Sequence, residues 1–224
     1  MEVEKAFDIS IPDKEAEKII TVGDFHDVVW KHLAIVKSSK CNTQLLFYKL
    51  RNYFTTTFNG EKKSFKPNSL INELFPEENR RNRYKDFETT IQLRLPPLIL
   101  PKSWNSFLHL VGMVSVGGGF LYALFTAEFY NQSRWNYLIP VVGIVFTSLL
   151  SSLLNFKRVI ISPFTVRDFT EKTLALNYRA IAETSGANRK DVEMVINYII
   201  SEKIGLDLDE ILPEKKIGDD LGVS

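Results

Sequence analysis

The chain has 224 residues, 45% of them hydrophobic, and 28 Lys and Arg against 27 Asp and Glu give a net charge of +1. That balance carries no overall nucleic-acid signature. A single Cys, Cys41, excludes an internal disulfide framework and fits a reducing compartment, and the three His (His26, His32, His109) form no metal-ligand cluster, so no cofactor or metal is expected.

Residues 1–20 form a polar leader, charged and without the apolar run of a cleavable signal peptide. Thr21-Val-Gly-Asp24 then fits a capping box, so a helix is expected to start there, with Phe25, Val28, Val29 and Leu33 on its apolar side. A second amphipathic helix over 44–58 places Phe47, Leu50, Phe54 and Phe58 together and ends at Asn59-Gly60. After a polar loop at 61–64, Leu70, Leu74 and Phe75 are the next expected buried positions, and 77–93 reads as a charged helix. Residues 21–94 thus make an N-terminal helical module. The Pro-rich stretch 95–104 is expected to run extended, as a stiff polyproline-like spacer.

Residues 105–156 read as a transmembrane helical hairpin. Its two apolar runs, 107–127 and 137–154, contain no Lys, Arg, Asp or Glu, the turn between them has Arg134 beside Glu128, and each run approaches the roughly 20 residues needed to cross a ~30 Å hydrocarbon core. A buried hairpin in a soluble core is the alternative, though such helices normally keep a polar face. Trp104 before the first run and Tyr130, Trp135 and Tyr137 about the turn suit the two headgroup levels. Small residues recur every fourth position, at Ser115, Gly119, Ala123 and Ala127 on one run and Gly143, Thr147 and Ser151 on the other. Such stripes let backbones approach; the simplest reading packs one against the other, and a homo-oligomer is the second.

Basic residues flank the hairpin: Arg80, Arg81, Arg83, Lys85, Arg94 and Lys102 before it, Lys157, Arg158 and Arg167 after it. Their excess over the turn predicts an inner-membrane, multi-pass protein with both termini cytoplasmic. Arg80, Arg81, Arg83, Lys102, Lys157 and Arg158 are candidate contacts to anionic lipid headgroups. For the arginines the competing reading is a solvated helix face, since Glu77, Glu78, Asp86 and Glu88 interleave with them. The same mixture argues against nucleic acid as a partner.

Beyond the hairpin, Thr165-Val-Arg-Asp168-Phe169 repeats Thr21-Val-Gly-Asp24-Phe25, and Pro213 follows it at nearly the spacing of Pro67 from Thr21, which reads as an internal repeat. In this second module, 157–224, Val192, Val195, Ile196, Ile199 and Ile200 form a helical stripe, Asn188 and Asp191 can cap its start, and Gly205 can end it.

The run Ile199-Ile-Ser-Glu-Lys-Ile-Gly205, with Leu208-Asp-Glu-Ile-Leu-Pro213 and Ile217-Gly-Asp-Asp-Leu-Gly222, resembles the first helix and following loop of the acyl carrier protein superfamily. Phe65-Lys-Pro67 to Leu74 resembles a more diverged copy of that loop, and the whole layout is similar to uncharacterised bacterial membrane proteins with acyl-carrier-like segments on either side of a hairpin. The resemblance implies a fold that is mainly α, a transmembrane helical hairpin flanked by two small helical acyl-carrier-like modules. It does not bring the carrier function with it: where the family has Asp-Ser-Leu, with phosphopantetheine on the Ser, this sequence has only Val223 and Ser224 after Gly222, and Ser69 follows Pro67 too directly to be that Ser. The second module is therefore expected to be shortened or completed by another chain.

No nucleophile and base at a suitable spacing and no phosphate-cradling loop are apparent; Val116-Gly-Gly-Gly119 falls at membrane depth. The expected function is a non-enzymatic, membrane-anchored interaction or scaffold protein with a cytoplasmic protein partner; the alternative is an acyl-carrier-type accessory of lipid metabolism. Asp207, Asp209, Glu210, Asp219 and Asp220 are a candidate partner surface or else a solvated acidic face. Transport is a weaker third class, for two helices without an intramembrane charge offer no ion path.

Overall fold

The computed structural model describes residues 2–58, 60–130, 136 and 138–222, and the side chains of residues 127–130 fall outside that description. The fold is mainly helical and divides into two compact units, residues 1–96 with 163–224 and residues 97–162. The expected junction at Asn59, the turn at Asn131 to Arg134, the aromatic rings of Tyr130, Trp135 and Tyr137, the side chain of Ala127, and the positions of Val223 and Ser224 lie outside what is described.

In the first unit, α1 (Glu2–Phe7), α2 (Asp13–Ala16), α3 (Val22–His32), α4 (Asn42–Phe58), α5 (Ile71–Leu74) and α6 (Arg80–Ile91) come from the first flank. From the second come two long helices, numbered below in chain order as α10 (Val166–Ser185) and α11 (Arg189–Ile204). Helix α3 starts on a complete capping box: Thr21 Oγ1 accepts from Asp24 N–H at 3.1 Å, and Asp24 Oδ2 accepts from Thr21 N–H at 2.8 Å. That main-chain bond holds the Asp24 carboxyl below the usual carboxylate range. At α10 only half of the device recurs. Thr165 Oγ1 accepts from Asp168 N–H at 3.2 Å, and its hydroxyl, rather than the main chain, meets Asp168 Oδ2 at 2.5 Å.

Two expectations change here. Residues 1–20 are not a free leader: Val3, Phe7 and Ile11 are buried, α1 packs on α10 and α11, and the Phe7 ring lies 5.0 Å from that of Tyr178. Nor do the flanks fold as two separate modules. Helix α4 packs along α10 and α3 along α11, so each flank supplies the other's apolar surface, and the last segment is completed by its own chain.

Main-chain hydrogen bonds make the exchange reciprocal. Val22 N–H donates to Lys215 C=O (3.0 Å), Gly23 N–H to Pro213 C=O (2.8 Å) and Ile217 N–H to Ile20 C=O (2.9 Å). The same three-bond pattern joins Val166 N–H to Ser69 C=O (2.9 Å), Arg167 N–H to Pro67 C=O (2.9 Å) and Ile71 N–H to Phe164 C=O (2.8 Å). The bridge to Thr165 explains Leu70, which is 45% exposed where burial was expected: it faces out while its neighbour Ile71 takes the core position. Around these seams Phe54, Phe58, Phe65, Phe75, Tyr84, Phe87 and Phe169 form a chain of aromatic contacts between 5.4 and 6.3 Å.

The second unit holds β1 (Leu98–Ile99), α7 (Lys102–Gly112), a π-helical turn (Met113–Gly117), α8 (Gly118–Tyr130), α9 (Leu138–Leu153), a 3-10 turn (Leu154–Lys157) and β2 (Ile160–Ile161). Strands β1 and β2 pair antiparallel, Leu98 opposite Ile161 and Ile99 opposite Ile160. Residues 95–104 are therefore no free-standing spacer. Leu95 and Pro96 are buried in the first unit, where the Tyr84 hydroxyl donates to Pro96 C=O at 2.6 Å, and the next residues enter the strand and the first hairpin helix.

Candidate functional site

Two helices of the second unit, Lys102–Thr126 and Leu138–Lys157, are long and apolar enough to cross a membrane. At about 1.5 Å per residue they extend roughly 37 Å and 30 Å, matching a ~30 Å hydrocarbon core. Their outer faces expose large apolar side chains, among them Leu110, Met113, Leu121, Val142, Leu149 and Leu153. A continuous apolar surface of this kind is what a bilayer solvates and water does not.

The inner seam is built from small residues. A Cβ on Gly143 would lie 2.7 Å from Ser115 O and 3.2 Å from Val116 N, and one on Gly119 would lie 3.1 Å from the Ile139 side chain and 3.3 Å from Pro140 N. Ala123 is buried on the same line. Ser115 Oγ donates to Val111 C=O at 2.7 Å and lies 3.2 Å from Thr147 Oγ1, whose own hydroxyl donates to Gly143 C=O at 2.8 Å. Each hydroxyl proton thus goes to a carbonyl of its own helix, and the two side chains meet across the seam. Ser115 lies within the π-helical turn, where its bond to Val111 and the three glycines at 117–119 accommodate the wider backbone. Ser151, last in the stripe, instead accepts from the Arg158 guanidinium at 3.2 Å.

A collar of cations and rings closes the open end of the hairpin. Lys157 Nζ lies 5.8 Å from the Trp104 ring and 5.2 Å from that of Phe156, Trp104 meets Phe107 edge-on at 6.1 Å, and Lys102 is exposed at the start of α7. Leu100, Leu108, Leu150 and Leu154 pack beneath. Amphipathic rings beside lysines are the composition of a headgroup layer.

The other candidate cations belong to α6 in the first unit. Arg80 is not a lipid contact: it is 8% exposed, and its guanidinium donates to Phe75 C=O at 2.8 Å and Asn72 C=O at 3.0 Å. It satisfies carbonyls at the end of α5 instead. Arg81 is half-buried with partners of its own, and Arg83 is exposed.

Asp207, Asp209, Glu210, Asp219 and Asp220 are all exposed, near the end of the chain. Part of their charge is used locally. Glu210 accepts from Asp207 N–H at 3.0 Å, Asp220 accepts from Lys216 N–H at 2.8 Å, and Asp219 pairs with Lys216 Nζ at 3.2 Å. Asp191, expected to cap its own helix, does something else: Asn188 caps α11, while Asp191 reaches the start of α4.

Two features were not anticipated. An apolar groove of about 550 Å³ is lined by Val3, Ile19, Phe25, Ile200, Ile204 and Ile217, among others, with Lys5 and Lys203 also along it. The second is the run Lys62-Lys63-Ser-Phe-Lys66, exposed except for Phe65. Among the described residues no three His, Cys, Asp or Glu side chains converge on a point that a metal ion could occupy. Comparison with protein families, with curated proteins and with solved structures finds no match to this chain.

Proposed function

We propose that the protein is a membrane-anchored, non-enzymatic interaction module, in which the hairpin of the second unit spans the bilayer and holds the helical unit at its cytoplasmic surface. One observation carries the reading: among the described residues, those before and after the hairpin share a core and eight main-chain hydrogen bonds, the six of the two reciprocal pairings and two more between Val36, Ser38 and Ala187. Two flanks so joined lie on one side of any membrane, which fits a hairpin that crosses twice. Juxtamembrane cations at Lys102, Lys157 and Arg158 favour the cytoplasmic side. The partner is a cytoplasmic protein, and the exposed acidic group from Asp207 to Asp220 is the face offered to a basic surface. The two flanks are copies of one module, a reading supported by their matching start motifs and matching three-bond pairings.

Cys41, alone of its kind and exposed, provides the test. In right-side-out cells a membrane-impermeant maleimide should leave Cys41 unlabelled until the membrane is permeabilised, and alkaline carbonate should not extract the chain. Labelling of intact cells reverses the orientation; release by carbonate removes the anchor.

A second reading, an acyl-carrier-type accessory of lipid metabolism, draws support from the arrangement after α11. That helix ends at Gly205 in a left-handed conformation, a 3-10 turn covers Leu208–Glu210, and Ile211 and Leu221 are buried together with Val22. That order of helix, loop and turn is what supports this second reading. A phosphopantetheinyl transferase that leaves the intact mass unchanged eliminates a covalent carrier.

A further inference from the structure

The two reciprocal pairings end in surfaces of opposite charge. One, where 20–23 meets 213–217, exposes Ile20 (60%) and Leu212 amid Asp209, Glu210, Glu214, Asp219 and Asp220, an excess of acids over Lys215 and Lys216, the latter paired with Asp219. The other, where 67–71 meets 164–167, exposes Phe164 (54%) and Leu70 beside Lys62, Lys63, Lys66 and Arg167; Glu61 and Glu73 are the exposed acids nearest in the chain, and the Asp168 carboxylate is engaged by the Thr165 hydroxyl. The loop is held in shape: Ser69 Oγ donates to Ser64 C=O at 2.7 Å and accepts from Lys66 N–H at 3.3 Å. Arg167 and Phe164 are fixed against it through Pro67 and Ile71.

We propose that this basic end, Lys62, Lys63, Lys66 and Arg167 around Phe164 and Leu70, is a docking face for anionic phospholipid. Cations ringing one or two exposed apolar side chains suit a headgroup layer, where the charges meet phosphates and the apolar groups reach the acyl boundary. The acidic end, built the same way, would be repelled by that surface. Chain continuity favours the same lipid: Phe164 follows β2 by three residues, a tether of roughly 10 Å at ~3.3 Å each. The proposal rests on the membrane reading above and adds to it a second contact, which orients the helical unit rather than anchoring it.

The full chain, reconstituted at one copy per nanodisc, tests it by amide hydrogen exchange over residues 61–66. In discs of phosphatidylcholine with phosphatidylglycerol, exchange should slow by about five- to thirtyfold relative to phosphatidylcholine alone, as expected for one or two engaged cations. High salt should reverse the effect, and Lys62→Glu with Lys63→Glu and Lys66→Glu should abolish it while exchange in α10 stays as it was. Equal exchange in both lipids overturns the proposal, as does protection that survives the triple substitution. Protection that appears only with two copies per disc, in either lipid, overturns it in favour of the acidic end of a second copy. A chain that does not co-elute with the discs refutes the membrane reading itself, an outcome separate from an incorporated chain whose loop is unprotected.

Discussion

The Asp191 carboxylate accepts the main-chain N–H of Asn42 at 2.7 Å, across 149 positions of chain. It also accepts from the Thr43 hydroxyl at 2.8 Å, so an acid on α11 serves as the cap of α4. Asn42 completes the knot, donating to Gly186 C=O at 2.9 Å and accepting from Ser185 Oγ at 2.6 Å. Gly186 sits at φ +86° with Ser38 close above it, a position no larger residue can take without displacing the turn. Asp191→Ala strands the buried Asn42 N–H and the half-buried Thr43 hydroxyl and should cost about 2–4 kcal/mol. The measurement is the thermal midpoint of the full chain in detergent, where an unchanged value would show that this knot does not join the flanks. Tyr178→Phe is the counterpart: the buried Tyr178 hydroxyl has no partner, burial pushes its phenol well above the usual range, and its removal should leave the midpoint unchanged or raise it.

Within the hairpin, neighbouring glycines should respond in opposite ways. Gly143→Leu forces a side chain against the main chain of Ser115 and should cost about 1–3 kcal/mol in helix packing, with Gly119→Leu acting similarly against Ile139 and Pro140. Gly118→Ala meets nothing within 4 Å and should be neutral. Protease resistance of the chain reconstituted in lipid distinguishes them, and equal resistance in all three would make the seam incidental.

Arg80 and Arg83, three residues apart on α6, separate structure from surface. Arg80→Ala removes the donors to Phe75 and Asn72 carbonyls and should lower stability by about 2–3 kcal/mol whatever the lipid. Arg83→Ala should stay within about 0.5 kcal/mol. Denaturant midpoints of the two variants, compared in neutral and anionic detergent, provide the check.

Glu15 supplies a pH dependence. Its carboxylate meets Lys31 Nζ at 2.8 Å and His32 Nε2 at 2.6 Å, and these partners, Lys31 first, hold its pKa down to about 2 from an ordinary 4.5. A depressed carboxylate contributes stability that is complete above the ordinary value and is lost as pH falls from there through about 2. The side-chain carboxyl resonance of Glu15 should titrate in that low window, Lys31→Ala should raise its midpoint, and added salt should do the same because the pair is solvated. A midpoint near 4.5 in the unaltered chain would dissolve the cluster.

Much of this architecture was legible locally. Capping residues at Thr21 and Asn188, the terminating Gly205, and the apolar stripes of α3, α4 and α11 are written in spacings of three and four, and the hairpin in the length of its apolar runs. What stayed illegible depends on partners distant in sequence. Val3, Phe7 and Ile11 are too sparse to mark a buried segment until α10 and α11 surround them. Asp191 has the spacing of a first-turn acid on its own helix, and nothing nearby says that it caps another. Leu70 looks like a core residue until the strand-like pairing with Thr165 turns it outward. Composition alone does not separate Arg80 from its basic neighbours, because it does not show which guanidinium finds carbonyls. The stiff-spacer expectation failed for a related reason: Leu98 and Ile99, between the prolines, have a partner strand more than sixty residues away.

The reciprocal pairing also sets a timetable for synthesis. Lys215 and Ile217, which bind Val22 and Ile20, are made some 120 residues after the first flank ends. At about 5–20 residues per second the first flank therefore waits on the order of ten seconds with its α3 and α4 faces uncovered. The hairpin is translated within that interval, so on the membrane reading proposed above its insertion would precede closure of the helical unit. A chaperone that binds exposed apolar helices should crosslink to nascent chains stalled after Ser162 and be released once α11 has emerged.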